Sequence, residues 1–186
     1  LRARWLLQAR GALKGEVVLA GLADPVAAVR EQTLGLAAEG VAKQPALLDA
    51  MLARAKDADA RVRFAAALAM APSADARVAE ALAEIAVRAD DDRWTRAAVL
   101  SGAKGRIAEL HAAVQRRAAE FPVGAAAIMQ DVGRLFGASA SAEAGRKFLA
   151  DVLRPGAGFN RTLPAVLGLV DGWGTKTGVA PWIGSD

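Results

Sequence analysis

Two short runs of aspartate are the residues of this 186-residue chain best suited to chemistry. One run is Asp57-Ala58-Asp59, and the other is Asp90, Asp91 and Asp92. Clustered carboxylates hold Ca²⁺ in EF-hand loops, but such a loop also needs further oxygen ligands, a central Gly and a closing Glu. Those residues are missing here. Both runs fall at one phase of the repeat described below, so helix capping is the favoured interpretation.

His111 is the only histidine, and it lies among apolar residues at helical spacing, close to Leu110 and Val114. A single imidazole cannot build a metal site without acidic partners, and none is suitably spaced nearby. A partly buried structural histidine is therefore favoured over a catalytic base. The sequence predicts no catalytic residue, no metal site and no cofactor.

Two glycine-rich stretches look faintly like nucleotide-binding loops. In "GWGTKTG" (172–178), Thr175 stands before the lysine, whereas a P-loop needs Gly at that position. "GAGFNR" (156–161) lacks the third Gly of a dinucleotide fingerprint. Both follow predicted helices instead of strands, so nucleotide binding is disfavoured.

Arginines recur at one phase of the repeat and are the candidates for a phosphate-binding ridge. The alternative is pairing within the chain, because aspartates are interleaved with them. Pairing is favoured. The set is Arg30, Arg61, Arg63, Arg93 and Arg96.

Trp94 stands between Arg93 and Thr95, in the first turn of a predicted helix. It could be an exposed anchor for a partner. Packing across the interface between repeats is the favoured interpretation.

The composition predicts helices. The chain is 54% hydrophobic and only 5% aromatic, it is rich in alanine, and it has no Tyr or Cys. Alanine favours helices, and an all-β sandwich would need more aromatic and β-branched residues. The absence of Cys excludes disulfides and thiolate metal sites within this stretch. No apolar run reaches the ~20 residues that span a bilayer, so no membrane span is predicted.

A 33-residue period organises the first part of the chain. Asp24, Asp57 and Asp90 are 33 residues apart, and so are Arg30, Arg63 and Arg96. A fixed period in this range is typical of solenoids built from helix pairs. These six residues and Trp94 are the candidate interaction residues, or the residues that link one repeat to the next.

Each repeat is expected to place a joint between two helices at its aspartate. Aspartate accepts hydrogen bonds from free N–H groups in the first turn of a helix and favours the positive end of its dipole. Asp59 with Arg63, and Asp92 with Arg96, are spaced as ion pairs on one helix face. The alanines that follow allow close helix packing.

The sequence predicts an all-α fold, a solenoid of antiparallel helix pairs, as a single domain over 1–186. Repeats are clear over 16–103, the helices of 104–171 are degenerate or capping, and 172–186 is a Gly-rich loop or linker. Leu1 reads as the middle of a helix, which indicates a fragment of a longer protein. Helices are predicted at 2–9, 15–23, 26–39, 45–56, 60–70, 75–88, 93–102, 105–120, 123–136, 142–153 and 162–171.

The pattern D-x-x-x-x-V-R-x-x-A at a period near 33 resembles HEAT repeats, including the short variant of phycobilisome-lyase-type proteins. "GLADPVAAVREQTLGLAAEG", "DADARVRFAAALAM" and "VLGLVDGWG" further resemble the HEAT segment of large bacterial membrane-bound dehydrogenases that end in a c-type cytochrome domain. That resemblance implies a spacer segment in an exported redox protein. It implies no cofactor here, because the haem-attaching Cys-x-x-Cys-His is absent.

Three functions follow as expectations. The favoured one is a non-catalytic scaffold that binds protein, either flanking domains or another chain. A nucleic-acid-binding HEAT-like protein is the second, disfavoured because the charges of this chain, net +4, are interleaved. The third, by analogy with other short HEAT proteins, is a lyase or chaperone for a chromophore-bearing partner.

Overall fold

A computed structural model of the chain describes residues 14–40, 45–89, 91–139, 142–154 and 159–174. This part of the chain is all-α, as predicted, and holds no strand. The predicted helix at 2–9 lies outside the described residues. The described residues form ten α-helices: α1 (Gly15–Leu22), α2 (Ala27–Ala38), α3 (Pro45–Ala53, continued by a 3₁₀ turn over Arg54–Lys56), α4 (Ala60–Ala69), α5 (Arg77–Val87), α6 (Arg93–Gly102), α7 (Ile107–Arg117), α8 (Pro122–Ser139), α9 (Ala142–Val152) and α10 (Phe159–Gly174).

Local sequence explains where several helices begin and end. Pro45 and Pro122 occupy the first position of α3 and α8, where a missing N–H has no cost. Asp59 precedes α4 and Asp92 precedes α6, and each caps its helix. Pro72 follows the end of α4 within three residues, in agreement with the predicted stop.

Most helix boundaries differ from the predicted ones by one to three residues, and the end of α10 is the one that changes an assignment. The Gly-rich loop was expected from 172, but α10 continues through Gly172 to Gly174. Gly172 is buried against α8, where a β-carbon would overlap the carbonyl oxygen of Arg134. The glycine that reads as a helix breaker is therefore a close-packing position inside a helix. The rest of the predicted loop, 175–186, lies outside the described residues.

The chain divides into two compact units. The first comprises 1–85 and 92–110. In its described part α2, α4 and α6 lie side by side, and α1 packs on α2 and α3. The alanines behind Arg63 allow close approach as expected, since Ala66 and Ala67 are fully buried. The fully buried large side chains of this unit are Leu22, Leu34, Met51, Val62, Met70, Val78, Leu82, Ile85 and Leu110.

The second unit comprises 86–91 and 111–186. Its centre is the pair α8 and α10, with α9 packed on both. Ile128 and Val132 on α8 and Leu169 on α10 are buried. No helix in the described parts of either unit combines the length and apolar character that crossing a membrane requires.

Candidate interaction face

Arg30 ties together two successive helix joints of the first unit. Its Nε and Nη2 donate to the carboxylate of Asp57 over 2.8 and 2.7 Å. Its Nη1 donates to the backbone carbonyls of Asp24 (2.8 Å) and Pro25 (3.0 Å). The Asp57 side chain is only 3% exposed and that of Arg30 13%. This bidentate pair is more enclosed than the pairs Arg54–Asp57 and Arg77–Asp49.

The contacts of the arginine with backbone carbonyls recur 33 residues later. Arg63 Nη1 donates to the carbonyls of Asp57 (2.8 Å) and Ala58 (3.0 Å). Asp24 accepts from the N–H of Val26, and Asp57 accepts from the N–H of Asp59. The joints at Asp24 and Asp57 therefore share their turn geometry and their arginine contact.

The third predicted joint lies before α6. Asp90 lies outside the described residues. Arg96 lies in the first turn of α6 near Asp92, whose carbonyl accepts the Arg96 N–H over 3.1 Å.

Burial and hydrogen bonding oppose each other at Asp57. Burial pushes the pKa of this carboxyl up, but the hydrogen bonds from Arg30 and from the Asp59 N–H, with the charges of Arg30 and Arg54, outweigh it. The pKa of Asp57 therefore lies below its usual range, and the carboxylate stays charged inside the joint.

The acidic runs cap helices, as favoured from sequence. Asp59 Oδ1 accepts from the N–H of Arg61 (2.8 Å). Asp92 accepts from the N–H groups of Trp94 (3.0 Å) and Thr95 (3.1 Å), and from the Thr95 hydroxyl (2.6 Å). That hydroxyl is the main reason that the pKa of Asp92 is lowered. No group of three metal-binding side chains occurs in the described ranges.

The arginine pairing differs in detail from the expectation. Arg63 bonds to carbonyls, while the Asp59 carboxylate lies 3.8 Å from Arg61 Nε. The predicted Asp59–Arg63 ion pair is therefore wrong: the carbonyls of the joint attract Arg63 toward the preceding turn. Pairing within the chain is confirmed for Arg30.

An exposed face runs across α2, α4 and α6. The three helices begin 33 residues apart and expose residues at equivalent positions. Glu31, Gln32 and Gly35 face Phe64 and Leu68 across a groove of about 300 Å³. We name this surface the three-helix face and define it by Ala28, Glu31, Gln32, Gly35, Arg61, Phe64, Leu68, Trp94, Ala97 and Ser101.

Trp94 lies on this face and corrects one expectation. Its side chain is 66% exposed, and the guanidinium of Arg93 stacks 4.7 Å from the ring centroid. The prediction that Trp94 packs across a repeat interface is therefore wrong. The ring points outward because Thr95, the next residue, takes the buried position and the capping bond to Asp92.

His111 is half-buried in the second unit, as expected for a structural histidine. Its ring meets Phe148 edge-on at 6.1 Å, and its Nε2 lies 3.5 Å from Nε2 of Gln115. Burial lowers the pKa of His111, Asp151 opposes this, and Arg154 adds to it. The imidazole is neutral at neutral pH.

Sequence reasoning missed two features. Alignment of exposed positions at the 33-residue offset would have placed Arg61, Phe64 and Leu68 on one stripe with Trp94. The spacings Gly133-x-x-x-Gly137 and Gly168-x-x-x-Gly172 would have indicated close helix packing. A β-carbon at any of these four glycines would overlap a carbonyl oxygen of the opposite helix.

The loop-like motifs have no binding geometry in the described part of the chain. Gly172 to Gly174 belong to α10, and Phe159 begins the same helix. Residues 155–158 and 175–178 of the two motifs lie outside the described residues.

No family model matches the chain, and neither the curated proteins nor the solved structures contain a match. The likeness to HEAT repeats, and to dehydrogenase–cytochrome proteins, therefore stays a prediction from the quoted residues.

Proposed function

We propose that the first unit is a HEAT-like stack of helix pairs that serves as a non-catalytic interaction module, with the three-helix face as its binding surface. Two features support the stacking. The helices α2, α4 and α6 lie side by side, and the joints at Asp24 and Asp57 make matching bonds. A shared joint geometry fixes each helix pair to the next in the same way.

The observation that carries the proposal is where the exposed apolar residues lie. Among the described residues of this unit, the large apolar side chains left exposed are Val26, Leu68 and Trp94. Two of these three are on the three-helix face, 45% and 66% exposed. Tryptophan and arginine are the residues most enriched at interface hot spots, and aromatic residues are enriched at the centre of interfaces.

Charge indicates the partner's chemistry. Arg61 is exposed and held only loosely, 4.0 Å from Glu31 and 3.8 Å from Asp59. Arg93 lies over the exposed ring of Trp94. The groove beside Phe64 and Leu68 is apolar with one carboxylate on its rim. The surface therefore fits a protein segment with apolar side chains for the groove and a carboxylate for the arginines.

Selection of peptides from a random displayed library tests this function. We expect enriched sequences to combine apolar and acidic residues. Trp94→Ala should raise the dissociation constant of the selected peptides at least about 30-fold, which is equivalent to about 2 kcal/mol at a hot spot. Leu68→Asp should do the same.

Leu153→Asp is the matched control, since Leu153 is comparably exposed but lies in the second unit. It should leave binding unchanged. Failure to enrich any peptide, or binding that is insensitive to Trp94 and Leu68, would contradict the proposal.

A further inference from the structure

The groove of the three-helix face has two helical walls that begin side by side. One wall is α2, from Glu31 to Ala38, and the other is α4, from Phe64 to Ala69. Glu31 lies 4.0 Å from Arg61, which is in the first turn of α4. Seven residues of helix separate Glu31 from Ala38, so the groove is about 10 Å long.

The length of this groove favours a helical occupant over an extended one. In a helix, residues i, i+4 and i+7 lie on one side and span about 10 Å, so three side chains enter the groove. In an extended segment, the side chains on one side are about 7 Å apart, so the same length admits two. A helix therefore buries more apolar surface in this groove.

The backbone of the occupant also needs hydrogen-bond partners. Both walls of the groove are helix flanks, whose N–H and C=O groups already bond to one another within each helix. Addition of a strand requires an exposed sheet edge, and the described part of the chain holds no strand. A helical occupant has its own backbone bonds made, so it needs only side-chain contacts from the face.

Charge sets the direction of the bound helix. Arg61 precedes Phe64 by three residues, about one turn. The Arg61 side chain is 71% exposed, and the carboxylates of Glu31 and Asp59 lie 4.0 and 3.8 Å from its Nε, farther than a hydrogen bond. Its guanidinium is therefore accessible to a further carboxylate. Negative charge stabilises the first turn of a helix and disfavours the last, so the N-terminal end of the occupant belongs at Arg61.

We infer that the partner of the three-helix face is an amphipathic helix of about three turns that runs parallel to α4, with a carboxylate in its first turn and apolar residues at i, i+4 and i+7 after it. The inference rests on the proposed function and adds the conformation and the direction of the bound segment. The apolar residues fill the groove between α2 and α4, and the carboxylate pairs with Arg61.

Two synthetic peptides of identical composition test the helical conformation. In the first, a glutamate is followed by leucines at i, i+4 and i+7; in the second, the same leucines stand at every second position. We expect the full chain to bind the first peptide at least about tenfold more tightly, measured by fluorescence anisotropy. Circular dichroism should show that this peptide gains helix on binding. A proline at its solvent-facing middle position should weaken binding more than about tenfold, because proline breaks a helix.

Removal of charge tests the direction. Arg61→Ala should weaken binding of the first peptide about three- to tenfold, and it should change little for the same peptide with glutamine in place of glutamate. Arg154→Ala is the matched control, since the Arg154 side chain is 72% exposed and lies in the second unit. It should leave both affinities unchanged. A peptide with its glutamate moved to the last turn should bind no better than the glutamine peptide.

Equal affinity of the two leucine peptides, including no binding of either, would overturn the helical occupant. So would binding without a gain of helix, or selected library sequences that are rich in proline or alternate in apolar character. Tighter binding of the peptide with glutamate in its last turn would overturn the direction. The proposed function fails in a different way, because it is lost when no library peptide is enriched or when binding does not respond to Trp94→Ala.

Discussion

At the scale of single residues, Asp57 is a buried carboxylate of the first unit that accepts several hydrogen bonds. Its carboxylate accepts from Arg30 twice, from Arg54 over 3.3 Å and from the N–H of Asp59. Its carbonyl accepts from Arg63. One residue thus connects the arginine of the preceding joint to the turn of its own.

Replacement of Asp57 should be costly. Asp57→Ala leaves the enclosed donors of Arg30 without an acceptor, and we expect the free energy of unfolding to fall by about 2–3 kcal/mol. Urea titration measures this. Asp49→Ala is the control: Asp49 is an exposed acid paired with Arg77, and its loss should change stability little. Equal effects of the two changes would show that the Asp57 joint is not specially stabilising.

His111 gives the second unit a pH dependence. Because its folded pKa is lowered below the ordinary 6.5, the folded state binds the proton less readily than the unfolded state. The contribution of neutral His111 to the free energy of unfolding is then fully present above the ordinary pKa, and it is lost as the pH falls through 6.5 toward the folded pKa.

We expect the wild-type melting temperature to drop between pH 8 and pH 5 by more than that of His111→Gln, whose side chain does not titrate. Asp151 and Arg154, the charged groups that act on the ring, are retained in both proteins. Parallel melting curves at all pH values would show that His111 does not contribute.

At the scale of helices, the contact of α8 with α10 is made by backbone. Gly133 and Gly137 face Ala165 and Leu169, while Gly168 faces Gln130. Where side chains are absent, the two helix axes approach more closely than larger residues allow. Arg134 and Asp171, 3.5 Å apart, pair across the same two helices at the surface.

Replacement of a glycine at this contact by alanine should destabilise the protein strongly. Gly168→Ala places a β-carbon on the carbonyl of Gln130, and we expect a loss of at least about 3 kcal/mol in the free energy of unfolding. Gly35→Ala is the control, because Gly35 is an exposed helical glycine. There, alanine should stabilise by about 0.5–1 kcal/mol. Similar losses at both positions would contradict the packing.

The sequence predicts the positions of the helices better than it predicts which side chains contact one another between helices. Local patterns explain this: Asp59 and Asp92 cap, Pro45 and Pro122 begin helices, and apolar spacing marks the buried side of Val78, Leu82 and Ile85. Such signals act within one turn. The direction of the Trp94 side chain depends on which of two adjacent residues is buried, and the Arg63 partner depends on carbonyls of a neighbouring turn. Neither is encoded by spacing along one helix.

At the scale of the whole molecule, the charge distribution argues against nucleic acid as a ligand. The net charge is +4, and Arg30 and Arg63 are engaged with a carboxylate and with carbonyls inside the joints, which leaves only Arg61 and Arg93 of the described repeat arginines discussed above to face a ligand. A phosphate-binding ridge needs several cations that are free to face the solvent on one side.

We therefore expect no measurable binding of a fluorescent duplex DNA at about 50 mM salt, followed by anisotropy. A strongly basic protein under the same conditions serves as the positive control. Binding that weakens steeply as the salt concentration rises would contradict this prediction and revive a nucleic-acid function.

Because the turns at Asp24 and Asp57 match, a 33-residue block between them can be removed or added without loss of the turn geometry. If residues 25–57 are excised, Asp24 is followed directly by Ala58, and Arg63 falls six positions after it, at the spacing that Arg30 has now. The shortened chain can rebuild the surviving turn from residues already suited to it. Loss or duplication of one such block is thus an accessible evolutionary step, which changes the number of helix pairs while the bonds within each turn stay the same.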